Sequence, residues 1–133
     1  MQCLFCDIAN NKAPSFKIWE NEYFFVFLDI MPINPGHLLL IPKKHFEEVY
    51  DFPEELYRDL FKTVKTIAGK LKEATKAKRI GIAIEGFGIP HAHIHLVPVN
   101  KGNELNPERA KKATESELQE MQKNLLTFFE GLS

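Results

Sequence analysis

The chain has 133 residues, 44% hydrophobic and 26% charged, the length and composition of one ordinary globular domain spanning 1–133. Its formal net charge of −1 lacks the basic excess of a nucleic-acid or membrane-surface binder, so neither partner is expected. No apolar run is long enough to span a bilayer. The start Met1-Gln2-Cys3-Leu4-Phe5 has neither the basic nor the apolar stretch of a secretory signal, so a cytoplasmic location is expected.

Cys3 and Cys6 form a Cys-x-x-Cys pair in a short, half-apolar segment, Cys3 to Asn11, that reads as a helical turn. On spacing alone, a redox pair, a metal site and two idle thiols all stand. Phe16 to Glu20 alternates and reads as a strand. Tyr23 to Leu28 is a dense aromatic run, a second and buried strand. Met31 to Gly36 carries two prolines and a glycine and reads as a loop. His37 to Ile41 is a third strand, stopped by Pro42.

Pro53, followed by Glu54 and Glu55, suits a helix start. Leu56, Leu60, Phe61, Val64, Ile67, Ala68 and Leu71 then recur at helical spacing, predicting one long helix to Thr75. Its stripe serves core packing, and part of it could face a second subunit. Arg79 to Glu85 reads as a fourth strand, Gly86 to Pro90 as a tight turn, and His91 to Val99 as a fifth strand. After a polar loop at 100–106, a last helix starts at Pro107 or Thr114 and runs to Phe129, with Gly131 stopping it. Short connections between consecutive strands imply hairpins. The expected class is α+β: an antiparallel sheet of about five strands, one long central helix and a C-terminal helix.

There are five histidines: His37, His45, His91, His93 and His95. Side chains alternate along a strand, so His91, His93 and His95 share one face while Ala92, Ile94 and Leu96 face the core. Three imidazoles in a row make poor core, since each carries a donor and an acceptor that burial would orphan. Neighbours on one strand face point in parallel and converge poorly on a single metal ion. Nucleophilic chemistry fits better. Neutral imidazole is abundant near pH 7, and a hydrogen bond to one ring nitrogen leaves a lone pair on the other. Attack on phosphorus would give a phospho-histidine, with flanking imidazoles stabilising the phosphate oxygens.

With this run in place, the sequence resembles the histidine triad family of nucleotide hydrolases and transferases. The family motif, His-x-His-x-His-x-x with apolar x, is matched throughout by His91-Ala92-His93-Ile94-His95-Leu96-Val97. A second feature is Pro35-Gly36-His37 opening a strand that closes with Ile41-Pro42-Lys43-Lys44-His45. A third is Asp29 at the end of the second strand. The resemblance covers residues 3–99, and residues 100–133 match nothing in it.

The resemblance implies the following roles. His93 is the nucleophile that attacks the α-phosphorus, and His95 and His37 contact the phosphate. Asp29 hydrogen-bonds the ribose hydroxyls. Leu4, Phe5, Ile8, Phe27, Leu28 and Ile30 sandwich the base, with purines favoured by size. Cys3, Cys6, His45 and His91 hold a structural zinc, as in some bacterial members; two thiolates and two imidazoles make a closed site. A homodimer is implied, with the long helix and one strand at its interface. The sequence departs from the family just before the triad. The loop there is short and lacks the serine or glutamine donor, so backbone N–H groups near Gly88 are the expected substitute.

The implied activity is hydrolysis of nucleoside phosphoramidates or dinucleoside polyphosphates. A nucleotidyltransferase is an alternative, although the uridylyltransferase branch has glutamine where this chain has His95. A DNA-adenylate-removing enzyme would need a basic extension, and the tail here mixes Lys111 and Lys112 with Glu104, Glu108, Glu115 and Glu117. A nucleotide-binding regulatory module with incidental hydrolysis would present the same site.

Overall fold

The computed structural model describes residues 3–132. Its centre is a five-stranded antiparallel sheet of β1 (Lys17–Glu20), β2 (Phe24–Leu28), β3 (Leu38–Pro42), β4 (Arg79–Ala83) and β5 (Ile94–Val99), in the order β1-β2-β3-β5-β4. Three α-helices complete it: α1 (Leu4–Ala9), α2 (Glu54–Thr75) and α3 (Glu115–Phe129). This is the α+β arrangement that the pattern of strands and helices predicts.

The central strands are buried on both faces, which is why they read as unbroken apolar runs. Phe24, Val26 and Leu28 of β2, Leu38 and Leu40 of β3, and Ile94 and Leu96 of β5 enter one core with Leu60, Val64, Ile67 and Leu71 of α2. Burying a side chain of this size contributes about 1.5–3 kcal/mol, so the stripe of four alone anchors α2 firmly. Leu118, Leu125 and Phe129 of α3 join the same core. On the opposite face Phe25, Phe27, Leu39 and Ile41 meet Phe5, Ile8 and Ala9 of α1. Six residues are too few for a helix that stands alone, since isolated helices below about 12 residues are marginal in water. Packing must therefore hold α1 against the sheet.

The expected element ends shift in ways that matter for the site. β5 was expected from His91 and begins at Ile94. Its register on β3 pairs Leu40 with Ile94, so the next pairings would fall on Ile41 and Pro42. Pro42 has no N–H to give, and the ladder ends. Ala92 instead donates its N–H to the Phe46 carbonyl at 2.7 Å. β4 stops at Ala83 rather than Glu85, and residues 84–93 form an irregular connection rather than a tight turn. Gly86 and Gly88 take φ of 88° and 93° within it, a region costly for residues with a Cβ.

Both signals for the last helix are real. Pro107–Arg109 is a short 3₁₀ turn, and α3 starts after Thr114 with a reciprocal capping box to Glu117. Between β5 and α3 the chain runs as a strap along the loop before β3. Ala113 N–H donates to the Ile30 carbonyl at 3.0 Å, and Lys111 N–H to that of Pro32 at 3.3 Å. The Arg109 guanidinium bonds the Asn34 side-chain oxygen at 3.0 Å and the Glu104 carbonyl at 2.8 Å.

Candidate active site and metal centre

The N-terminus of α1, the segment after β3 and the start of the triad meet at one cluster. Cys3 Sγ, Cys6 Sγ, His45 Nδ1 and His91 Nδ1 all lie within 4.8 Å of one another. Cys3 Sγ is 3.3 Å and Cys6 Sγ 3.4 Å from His91 Nδ1, and Cys6 Sγ is 3.3 Å from His45 Nδ1. The two Nδ1 atoms are 3.2 Å apart. Zinc bonds of about 2.3 Å to sulfur and 2.0 Å to nitrogen place tetrahedral ligands roughly 3.3–3.8 Å apart, so these spacings fit. The His91 ring is also set for ligation. Its Nε2–H donates to the Pro42 carbonyl at 2.9 Å, leaving the Nδ1 lone pair facing the thiols. Without a cation the crowding is unfavourable: burial, then the Cys3 thiol beside it, pushes Cys6 up to about 11.

A second group, Asp29, His37 and His95, is equally close but is wired differently. The Ile33 N–H donates to His37 Nδ1 at 3.0 Å, so the His37 proton must sit on Nε2. That Nε2–H donates to His95 Nδ1 at 2.9 Å, which puts the His95 proton on its own Nε2. A cation would need the lone pair that His37 Nε2 lacks, so this is a hydrogen-bond relay. Both rings stay neutral near pH 7. Burial, then His95, holds His37 down at about 3; burial, then His93, holds His95 down at about 4. Asp29 lies 3.5 Å from His37 Nε2, and its carboxyl is pushed up by burial despite accepting the Met31 N–H at 2.8 Å.

His93 is buried, and its Nδ1 lies 2.8 Å from the His91 carbonyl oxygen. A carbonyl only accepts, so Nδ1 carries the proton and Nε2 the lone pair. The expected row of three rings is split. His93 and His95 pack edge-to-face at 5.1 Å, whereas the His91 ring packs on His45 at 5.0 Å. Phe5 packs edge-on to both His91, at 6.0 Å, and His93, at 5.3 Å. The split follows from β5 starting late, because His91 and His93 lie outside the regular strand.

The HIT domain pattern matches residues 10–102. The chain belongs to the HIT domain family. Among curated relatives, the adenosine 5'-monophosphoramidase of Saccharomyces cerevisiae is 33% identical over 132 residues, covering 97% of this chain and 84% of its own. Among solved structures, a zinc-bound histidine triad family protein from Mycobacterium smegmatis superposes with a TM-score of 0.83 at 31% identity, covering 99% and 96% of the two chains. A Hit-like protein from Bartonella henselae gives 0.84 at 29% identity, with 96% of each covered.

In this HIT domain a cleft of about 380 Å³ opens on His37, His93 and His95, with Asp29 in its wall. Phe5, Ile8 and Phe27 are buried together beside the triad, with Phe5 and Phe27 5.5 Å apart. Leu4 and Ile30, 54% and 55% exposed, are free to meet a ligand. Leu28 takes the other face. Strand alternation turns it into the α2 core with Leu38 and Leu40. Of the two loop glycines, Gly86 lines the cleft, and a Cβ added at Gly88 would meet only open space. Sequence reasoning missed the rest of the wall. Met31 and Ile33 come from the loop before β3, Glu85 and Phe87 from the β4–β5 connection, and Leu105, Pro107 and Ala110 from the strap. No periodicity marks irregular segments, so only the exposed aromatic in Gly86-Phe87-Gly88 was a usable signal.

Proposed function

We propose that this HIT domain, a single domain over 1–133, hydrolyses nucleoside phosphoramidates or dinucleoside polyphosphates at the α-phosphate. It would release a nucleoside monophosphate through nucleotidyl-His93. The observation that carries this reading is the pair of fixed tautomers: His93 offers a lone pair at Nε2, and His95 offers a proton at Nε2. His93 Nε2 attacks phosphorus as the bond to the leaving group breaks, and His95 Nε2–H hydrogen-bonds the transferring phosphoryl group. Water then attacks the nucleotidyl-His93. Overall one water is consumed: its oxygen stays on the nucleoside monophosphate and a proton on the leaving group. Asp29 is suited to the ribose hydroxyls, and Leu4, Phe5, Ile8, Phe27 and Ile30 to a purine, which stacking and burial bind with loose selectivity.

Zinc bound at Cys3, Cys6, His45 and His91 would supply structure rather than chemistry, since four protein ligands leave no open position. It would cross-link α1 to the segment that presents His93. We place the protein in the cytoplasm as a homodimer. The deciding experiment is AMP release from an adenosine phosphoramidate, with a diadenosine polyphosphate in parallel. Native protein should turn over at least one, and His93→Ala should fall by roughly a thousandfold or more while still binding AMP. Retained activity in His93→Ala would refute the nucleophile. Tight nucleotide binding without turnover would favour a binding module.

A further inference from the structure

The cleft wall beyond the triad says something about the leaving group. Its ionisable side chains are the triad-side histidines, Asp29 and Glu85, and no lysine or arginine lines it. The imidazoles of His37 and His95 are neutral near pH 7, so they bring no standing positive charge. A polyphosphate leaving group carries several negative charges and is ordinarily gripped by arginine or lysine. Here it would meet a carboxylate instead. If Asp29 is taken up by the ribose, Glu85 is the other carboxylate of the cleft wall and is left for the departing group. It forms no ion pair among the described residues.

The same wall offers an apolar body. Phe87 is 82% exposed at the cleft, held between Gly86 and Gly88, both in the left-handed region. Leu105, also exposed, reaches the cleft from the strap. An exposed phenyl ring can cover an alkyl chain and can also face a cation.

We propose that Glu85 is a specificity-determining residue, selecting leaving amines that carry a second, protonated amino group over neutral or anionic ones, with Phe87 and Leu105 covering the alkyl body. This rests on the hydrolase reading above. In the step concerned, the bond from His93 Nε2 to phosphorus forms and the phosphorus–nitrogen bond breaks. The departing nitrogen keeps the electron pair and takes up a proton from solvent, which the later hydrolysis of nucleotidyl-His93 by water returns, and it leaves as an amine whose far ammonium sits by Glu85.

The test uses three adenosine 5'-phosphoramidates of equal chain length, with leaving amines ending in ammonium, methyl or carboxylate. For native protein, kcat/KM should fall in that order. The ammonium-to-methyl step should be roughly two- to fivefold, the scale of a pair between exposed charges, and should shrink at about 1 M salt. Glu85→Gln should bring the ammonium substrate down to the methyl one, so that the ratio of the two rates closes to about one. Equal native rates for the ammonium and methyl substrates, or a native-like ratio in Glu85→Gln, would overturn the proposal while the hydrolase stands. Turnover of none of the three by native protein would overturn this proposal together with the phosphoramidate half of the hydrolase reading, leaving the dinucleoside polyphosphates to be judged by their own assay.

Discussion

At the scale of single residues, the site works through protons that backbone groups put in place. The Ile33 N–H fixes the His37 tautomer, His37 fixes that of His95, and the His91 carbonyl fixes that of His93. The cost is burial of neutral imidazoles, and it sets a pH dependence. An unfolded histidine takes up its proton near pH 6.5, whereas His95 and His37 resist it until about 4 and about 3. Between these limits the unfolded chain holds more protons. Stability is therefore complete above about pH 6.5 and drains away as pH falls toward 3. The Asp29 carboxyl, pushed up by burial, works in the opposite sense, so a difference measurement is needed. With excess zinc present, the urea midpoint should drop between pH 7.5 and 5, and it should drop less in His37→Asn. Asparagine can still accept the Ile33 N–H but does not titrate. An equal drop in both proteins would show that His37 is not a group whose protonation unfolds the chain.

At the scale of elements, α1 is the shortest of the described α-helices, six residues held by the burial of Phe5, Ile8 and Ala9. Its side-chain cap is the Cys3 sulfur, which accepts the Cys6 N–H at 3.4 Å, so one residue caps the helix and faces the cluster. Cys3→Ala should therefore lower the melting temperature by roughly 5–15 °C, the equivalent of a few kcal/mol in a domain of this size. It should leave kcat at low temperature within a few-fold of native. A melting point that does not move, together with metal analysis that finds no zinc in native protein, would remove the metal from the account.

The elements also show what a sequence can and cannot display. β2, β3 and α2 were legible because their burial follows a simple period, and Thr114 and Pro107 announced their turns through side chains that cap or stiffen. The start of β5 was not legible, because it depends on Pro42, a residue of another strand, failing to donate. The triad could be read as chemistry from residue type and spacing, whereas the spacing of the two cysteines left their role open and only the family resemblance joined them to His45 and His91. The face that Leu28 takes was not legible, because a stretch buried on both faces hides which side each residue takes. The strap's share of the cleft was invisible, since main-chain hydrogen bonds carry no residue signature.

At the scale of the whole molecule, the sheet ends on an open edge. β4 is the outermost strand beside β5, and Ile82 on it and Ile84 just beyond are exposed. On α2, Tyr57 and Phe61 are also exposed, with rings 5.1 Å apart. Apolar groups on a helix and on an unpaired edge are what an isologous partner would cover. Light scattering at micromolar concentration should give twice the chain mass of 15.3 kDa. A monomeric mass would leave these residues unexplained and would reject the homodimer.

The strap is tied down by its main-chain groups and by Arg109, while Leu105, Pro107 and Ala110 face the cleft. His93 and His95 sit on β5 and its immediate flank and His37 just before β3, whereas the strap is bonded to the loop between β2 and β3. Inheritance can therefore treat the two separately. A lineage could rewrite the strap's cleft-facing positions, or lengthen it, and acquire a new substrate in a single step while the histidines stay as they are. Relatives that share the triad would then diverge in appetite faster than in chemistry.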